Sequence, residues 1–337
     1  MFNLKSLIKN GLKFLFVAAV LSWMWNSGRL DLNRIYQALK NWRVILPGVL
    51  LLLCNLPILS LRLKWLLRGQ RIPIHFLQSA TLTFIGLFFN TTLPGAVSGD
   101  VVKGYYLIKL APGLRKTQAI TAMLVDRIVG LSGLIIVSTL ALLFRLEAVI
   151  ASSKLQSVAV IILGFALGVF VFFVFVLFPF GERFEKLLAL LRKLPSGTLF
   201  VKFISALRGY RQNLRYLAGS LLISVFIHIL SISAMGFFLS ALGDDSLSVG
   251  SLFFLTPLGL ITTAIPIAPA GLGVGHAAFL ALFQLGGSAR GVDAFSIFAL
   301  TQILLGLTGA LPYLLFKKPG ENIDQITSEF QTDTPEA

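Results

Sequence analysis

Phe84-Ile85-Gly86-Leu87-Phe88-Phe89-Asn90-Thr91-Thr92-Leu93-Pro94-Gly95-Ala96-Val97-Ser98-Gly99-Asp100 and Leu258-Gly259-Leu260-Ile261-Thr262-Thr263-Ala264-Ile265-Pro266-Ile267-Ala268-Pro269-Ala270-Gly271-Leu272-Gly273-Val274-Gly275-His276 are two hydrophobic segments broken at their centres by Pro/Gly-rich turns. Proline removes a helical hydrogen bond and clashes with the preceding turn, so neither segment reads as one continuous helix. Lipid offers no hydrogen-bond partner, and non-helical backbone at membrane depth survives only inside protein or against a water-filled cavity. Two interrupted segments at corresponding places in two halves of a chain therefore point to a polar cavity between them.

The rest of the chain supplies the membrane. Hydrophobic residues make up 56% and charged residues 13%, where a soluble protein carries about 25% charged residues. Several apolar runs approach or exceed the roughly 18 residues that span a bilayer. The pattern predicts an all-α polytopic membrane protein with about six full transmembrane helices, over 11–26, 44–62, 118–144, 157–179, 217–242 and 293–316. Two inverted re-entrant helical hairpins are expected over 76–113 and 250–286. Residues 1–316 read as a single membrane domain, and the polar, acidic stretch 317–337 as a disordered cytoplasmic tail.

Charge placement predicts orientation. The net charge is +15, but the basic residues sit between apolar runs and not on one soluble face, which argues against nucleic acid and for loops facing anionic lipid. One side collects 21 Lys and Arg, including Lys5, Lys9, Lys13, Arg62, Lys64, Lys103 and Lys116; the other collects 7, from Arg29 to Arg290. That bias sets both termini in the cytoplasm. A full crossing by 76–92 would put Lys103 to Lys116 outside and weaken it; a hairpin entered from the cytoplasm keeps them inside. Three further spans then make the second hairpin enter from the opposite face. Trp23, Trp25 and Asn26 stand where a small-residue cleavage site would follow a signal sequence, so the first apolar run reads as a retained helix. Residues 181–216, with Phe184, Leu187, Leu188 and Leu191 at helical spacing, read as a basic amphipathic cytoplasmic connection lying on anionic lipid, or docking a partner. The single cysteine, Cys54, excludes an internal disulfide.

Ionisable groups inside spans are costly and are functional candidates by default. Asp126 and Arg127 fall eight to nine residues into the third span, about 12–14 Å below its start. Adjacent residues point to different helix faces, so the two cannot pair with each other and each needs another partner or water. Ala119, Ala122, Asp126, Gly130 and Gly133 share one small-residue face suited to close packing. Two roles stay open for the pair: a buried polar tie, or Arg127 gripping a phosphate. Asp100 and Lys103 are helical neighbours just after the first turn; Asp100 either caps a helix or lines a site with Lys103, the amides before it ending at Gly99, Asn90 and Thr91, and the turn at Pro94. In the second segment Pro269, Gly271 and Gly273 expose backbone, and His276 either caps the returning helix or handles a proton or anion. His75, His228 and His276 lack metal-ligand spacing, so no metal is expected. Neither a dinucleotide loop nor a phosphate-loop lysine motif is present, so no cofactor, nucleotide hydrolysis or catalytic set is expected.

Asn90-x-x-Leu93-Pro94, Gly99-Asp100-x-x-Lys103, Asp126-Arg127 and Pro269-x-Gly271-Leu272-Gly273, in that order, resemble the flippase-like membrane region of lysylphosphatidylglycerol synthases. The resemblance covers roughly 10–316 and does not extend to the soluble aminoacyl-transferring domain, so it implies lipid handling and not lysyl transfer. Relative to the family's frequent pattern, Asp100 and Lys103 replace Glu and Arg, Asp126 replaces Glu, and His276 replaces a Glu; the first three keep charge sign and the last removes a carboxylate. What the resemblance implies is a lipid translocase of the bacterial inner membrane, moving an anionic, aminoacylated or polyprenyl/phosphate-linked lipid, with a membrane phospholipid or polyprenyl-phosphate lipid as ligand and a soluble synthase or glycosyltransferase as protein partner. The alternative is an integral-membrane enzyme or accessory subunit acting on lipid-linked sugars or phospholipids.

Overall fold

A computed structural model describes residues 18–92, 98–178, 208–264 and 271–316, together with Leu190, Val201 and Ile204. All regular structure among them is helical. In chain order the helices are α1 (18–26), α2 (Leu32–Lys40), α3 (Trp42–Gly69), α4 (Phe76–Thr92), α5 (Ser98–Leu110), α6 (Lys116–Leu143), α7 (Leu146–Ile150), α8 (Ser153–Leu177), α9 (Leu214–Ala241), α10 (Val249–Thr263), α11 (Val274–Leu285), α12 (Gly291–Leu307) and α13 (Ala310–Phe316), with a 3-10 turn at Gly209–Asn213.

Five stretches among the described residues are long and apolar enough to cross a membrane: Trp42–Gly69, Lys116–Leu143, Ser153–Val174, Tyr210–Ala241 and Gly291–Phe316. They match five of the six expected spans, with ends within about five residues except that α3 runs seven residues beyond Arg62, where the charge suggested an end, and the fourth stretch begins seven residues before the expected 217. The remaining expected span, 11–26, is described only from residue 18, where it is helical to 26. Most of the connection 181–216 and the tail 317–337 lie outside the described residues.

The centre of the bundle is α3 against α9. A Cβ at Gly48 would meet Phe238, Asn55 bonds Ser231, Arg62 bonds Ser224, and a Cβ at Gly219 would meet Trp65. Rising numbers on α3 meet falling numbers on α9, so the two helices run antiparallel along their length. Small residues permit the close approach that packing in lipid requires. On α6, Gly133 lies against Ser224 and the backbone of Val225, and Gly130 leaves room for the Arg62 guanidinium. α8 stands at the periphery, packed on α6 and α7 with most of its surface outward.

The two broken segments each form a pair of short helices. In the first, α4 and α5 run antiparallel, with Gly86 against both Gly99 and Lys103. The amide of Gly99, at the start of α5, donates to Asn90 Oδ1 at 3.0 Å, so a side chain of one helix satisfies an orphan donor at the N-terminus of the other. In the second, α10 and α11 are antiparallel, with Gly271 against Thr263 and Gly259 against Phe279. Residues 93–97 and 265–270, including Pro94 and Pro269, lie outside the described residues. Six residues separate α3 from α4 and five separate α5 from α6; likewise seven separate α9 from α10 and five separate α11 from α12. Because α3 and α9 are antiparallel, the two pairs open at opposite ends of the bundle. α12 touches both, through Gly275 against Phe295 and Gly306 against Thr91.

Polar ties close each end. Near α2, Arg34 Nη1 lies 3.1 Å from buried Asp293 Oδ2, and the Asp31 amide donates to Asp293 Oδ1. Hydrogen bonds from the Arg34 side chain and amide hold the Asp31 carboxyl below the usual carboxylate range. At the other end Arg71 bonds Gln212, and the Tyr210 hydroxyl donates to the Leu66 carbonyl.

Candidate functional site

A cavity of about 440 Å³ lies where the inner ends of both short pairs meet α3, α6, α9 and α12. Its ionic wall is an alternating chain of five charges. Arg127 donates to Asp100 Oδ2 from Nε at 3.0 Å and from Nη2 at 2.7 Å. Asp100 Oδ1 lies 3.4 Å from Lys103 Nζ, which bonds Asp126 Oδ2 at 3.1 Å. Asp126 Oδ1 in turn accepts from Arg62 Nε at 3.1 Å and pairs with Nη2 at 2.9 Å. Arg62 Nη1 then donates to Ser224 Oγ at 3.2 Å. The chain ties α3, α5, α6 and α9 together, and a cation stands at each end of it.

Asp126 and Arg127 do point apart. Asp126 turns inward to the α3–α6–α9 contact, and Arg127 turns toward α5. Three cations face two carboxylates, leaving a formal surplus of one positive charge on residues lining the cavity. Arg62, Lys103 and Asp126 have side chains only about a tenth exposed, whereas 29% of the Arg127 side chain is accessible. Arg127 is the cation that a ligand meets most readily.

Of the residues singled out from sequence, Asn90, Thr91, Asp100, Lys103, Asp126, Arg127 and Gly271 line this cavity. Gly99 stands beside it as the backbone contact that seats α5 on α4. His276 is elsewhere. It is buried at the start of α11, where Nδ1 accepts from the Gly273 amide at 3.2 Å and Nε2 meets Ser296 Oγ at 3.0 Å. Its ring packs edge-on against Phe295. The positive φ of Gly271 and Gly273, +69° and +80°, turns the chain into α11, a conformation that a residue without Cβ adopts freely. His276 and Gly273 thus form the helix start, the capping role weighed for His276.

Sequence reasoning missed Arg62, Asn55, His228, Ser231 and Gln302, all of which line the cavity. Arg62 was counted among the cytoplasmic loop cations; it is buried within α3, about 10 Å from that helix's end. Setting Arg62 and Lys103 aside reduces the loop bias from 21 against 7 to 19 against 7, with the same sign. A signal was available: Gly48, Asn55, Arg62 and Gly69 recur every seven residues, a repeat that keeps one face of a helix toward a partner.

An all-helical bundle with several membrane-length apolar helices and an ionic cavity inside it defines a polytopic membrane protein. The chain belongs to the family described as the lysylphosphatidylglycerol synthase TM region, whose profile matches residues 11–315. It is also similar to a UPF0104 membrane protein of Pyrococcus horikoshii, 28% identical over 105 residues. That match covers 31% of each chain, so less than a third of the relative's length is spanned.

Proposed function

We propose that the chain is a flippase-like lipid translocase that carries the headgroup of an anionic, aminoacylated or polyprenyl/phosphate-linked lipid through the cavity while the acyl or prenyl tails stay in the bilayer. The observation that carries this reading is the surplus cation of the alternating chain. An excess of cations over carboxylates in a low-dielectric interior favours an anion, and a phosphate offers oxygens matched to the planar donors of arginine. The inner ends of two short helical pairs at the same cavity support it further. In this reading the pairs are re-entrant hairpins inverted with respect to each other, and rocking of the two halves exposes the cavity to each side in turn. The chain then sits in a bacterial inner membrane with both termini cytoplasmic; the 19 to 7 distribution of loop cations supports that orientation. The basic connection 181–216 is proposed to receive a soluble synthase or glycosyltransferase that makes or uses the lipid.

Arg127→Ala, reconstituted in vesicles containing fluorescent phosphatidylglycerol, is expected to slow headgroup movement between leaflets at least tenfold, because a charge-assisted pair to the ligand is lost. Arg127→Lys, which keeps the charge but not the planar fork, should recover only part of the rate. Unchanged movement in Arg127→Ala would remove the cavity from the transport path.

A further inference from the structure

The cavity has a second wall that the ionic chain does not explain. Two turns along α3 from Arg62, about 10 Å away, Asn55 projects from the same helix face. Its Nδ2 donates to Ser231 Oγ at 3.0 Å, and Ser231 stands two turns from Ser224 on α9. The contact is thus a second rung parallel to Arg62–Ser224, neutral where the first is charged. Asn55 is 5% exposed, lines the cavity, and its Oδ1 has no hydrogen-bond partner. A buried amide oxygen left in this state costs free energy comparable to a lost hydrogen bond. Apart from the ionic chain, the polar side chains lining the cavity include Thr263, Gln302 and His228, whose Nε2 lies 2.9 Å from the Gly130 carbonyl, set among apolar residues such as Leu56, Ile227, Leu260 and Phe298. Among the described residues that line the cavity, the carboxylates and the Lys and Arg side chains are the five of the ionic chain.

On the ionic wall, both carboxylates are already engaged. Asp126 receives Arg62 on one oxygen and Lys103 on the other; Asp100 receives Arg127 on one and faces Lys103 with the other. An ammonium group entering here would find each carboxylate paired and would meet a net positive wall.

Resting on the headgroup reading above, we propose that the Asn55–Ser231 rung is a hydroxyl-reading subsite: the headgroup this cavity takes is a phosphate bearing a neutral polyol or sugar, in preference to an aminoacylated, cationic one. The phosphate sits toward Arg127 and the hydroxyls toward Asn55. Asn55 Oδ1 accepts from one of these hydroxyls. A site built to hydrogen-bond a hydroxyl discriminates strongly against a ligand lacking it, because its own buried polar groups are then left unpaired.

The test titrates the purified full chain calorimetrically with three short-chain probes: dihexanoyl phosphatidylglycerol, which has the polyol; dihexanoyl phosphatidate, which has only the phosphate; and a short-chain lysylphosphatidylglycerol. The expected order is phosphatidylglycerol about tenfold tighter than phosphatidate, with the lysyl lipid weakest. In Asn55→Leu and, separately, in the milder Ser231→Ala, the ratio of phosphatidylglycerol to phosphatidate affinity should fall toward one. Equal affinity for those two lipids in the unaltered protein, tightest binding of the lysyl lipid, or an unchanged ratio in both variants would each overturn the subsite. If phosphatidate and phosphatidylglycerol bind equally and Arg127→Ala weakens both, the hydroxyl subsite alone fails and the anionic-headgroup reading stands. If no probe binds the unaltered protein, both fail together.

Discussion

Asp126→Ala is expected to destabilise the protein by about 3–5 kcal/mol, the cost found when one partner of a buried ion pair is removed and the other is left uncompensated. The loss should be near the upper end of that range, because Asp126 serves two cations. Without it Arg62 loses its carboxylate and Lys103 keeps only Asp100, at 3.4 Å. Both side chains are buried, and neither can swing to water without breaking the packing of α3 or α5. Unfolding in a mild detergent, followed by tryptophan fluorescence against denaturant, measures the change. The double variant Arg62→Leu/Asp126→Leu should recover at least half of the lost stability, since replacing both members of a buried pair by apolar groups is often neutral. A loss below about 1 kcal/mol in Asp126→Ala would mean that the alternating chain does not tie the four helices.

Gly99→Val should have the largest effect on ligand binding of any substitution that leaves every charge in place. A Cβ at position 99 would collide with the Gly86 carbonyl and with the Asn90 side chain. Backbone cannot yield as a flexible side chain can, so α5 must move away from α4. Overpacking of this kind costs about 1–3 kcal/mol. The functional consequence is greater than the stability loss, because Asp100 and Lys103 lie one and four residues further along α5 and move with it. A shift of about 1 Å is enough to spoil paired donor–acceptor geometry at a binding site. Binding of phosphatidylglycerol to Gly99→Val is therefore expected to fall at least tenfold, with helix content by circular dichroism unchanged. Gly99→Ala should show the same effect in smaller measure. Binding unaltered in the valine variant would mean that the approach of α4 and α5 does not set the position of the ionic wall.

Much of the architecture was legible because membrane depth restricts what a chain can be. An apolar run of sufficient length reads as helical, and one in which Pro and Gly cluster, as at Pro94-Gly95 or from Pro266 to Gly275, reads as two halves; a lone proline does not suffice, since α3 stays continuous through Pro47 and Pro57. The separation of Asp126 from Arg127 was also legible, since adjacent residues on a helix diverge by about 100°. Arg62 was not, and the reason is physical. Near the end of an apolar run, a long cationic side chain reads equally as a snorkelling interfacial charge or as a buried ligand. Hydropathy reports which solvent a position avoids and is silent on which neighbour replaces it. Asn55 was lost in the same way, as one polar residue in an apolar stretch whose register against α9 was unknown. For His276 the sequence left capping and ligand roles open; the positive φ of Gly273 brings the Gly273 amide onto the imidazole, and the ring is used locally.

By itself, then, the order of residues determined a helical membrane bundle with two paired breaks and a small set of intramembrane charges, because backbone hydrogen bonding and side-chain transfer energies act at each position without reference to distant ones. Only the tertiary structure decided that Asp126 belongs to Arg62 and Lys103, that Asp100 belongs to Arg127, and that a neutral rung at Asn55 and Ser231 lies two turns beyond. Those pairings depend on how four helices are set against one another. That setting is governed by the close approaches at Gly48, Gly99, Gly130, Gly133 and Gly219, contacts between residues far apart in the chain that no local window contains.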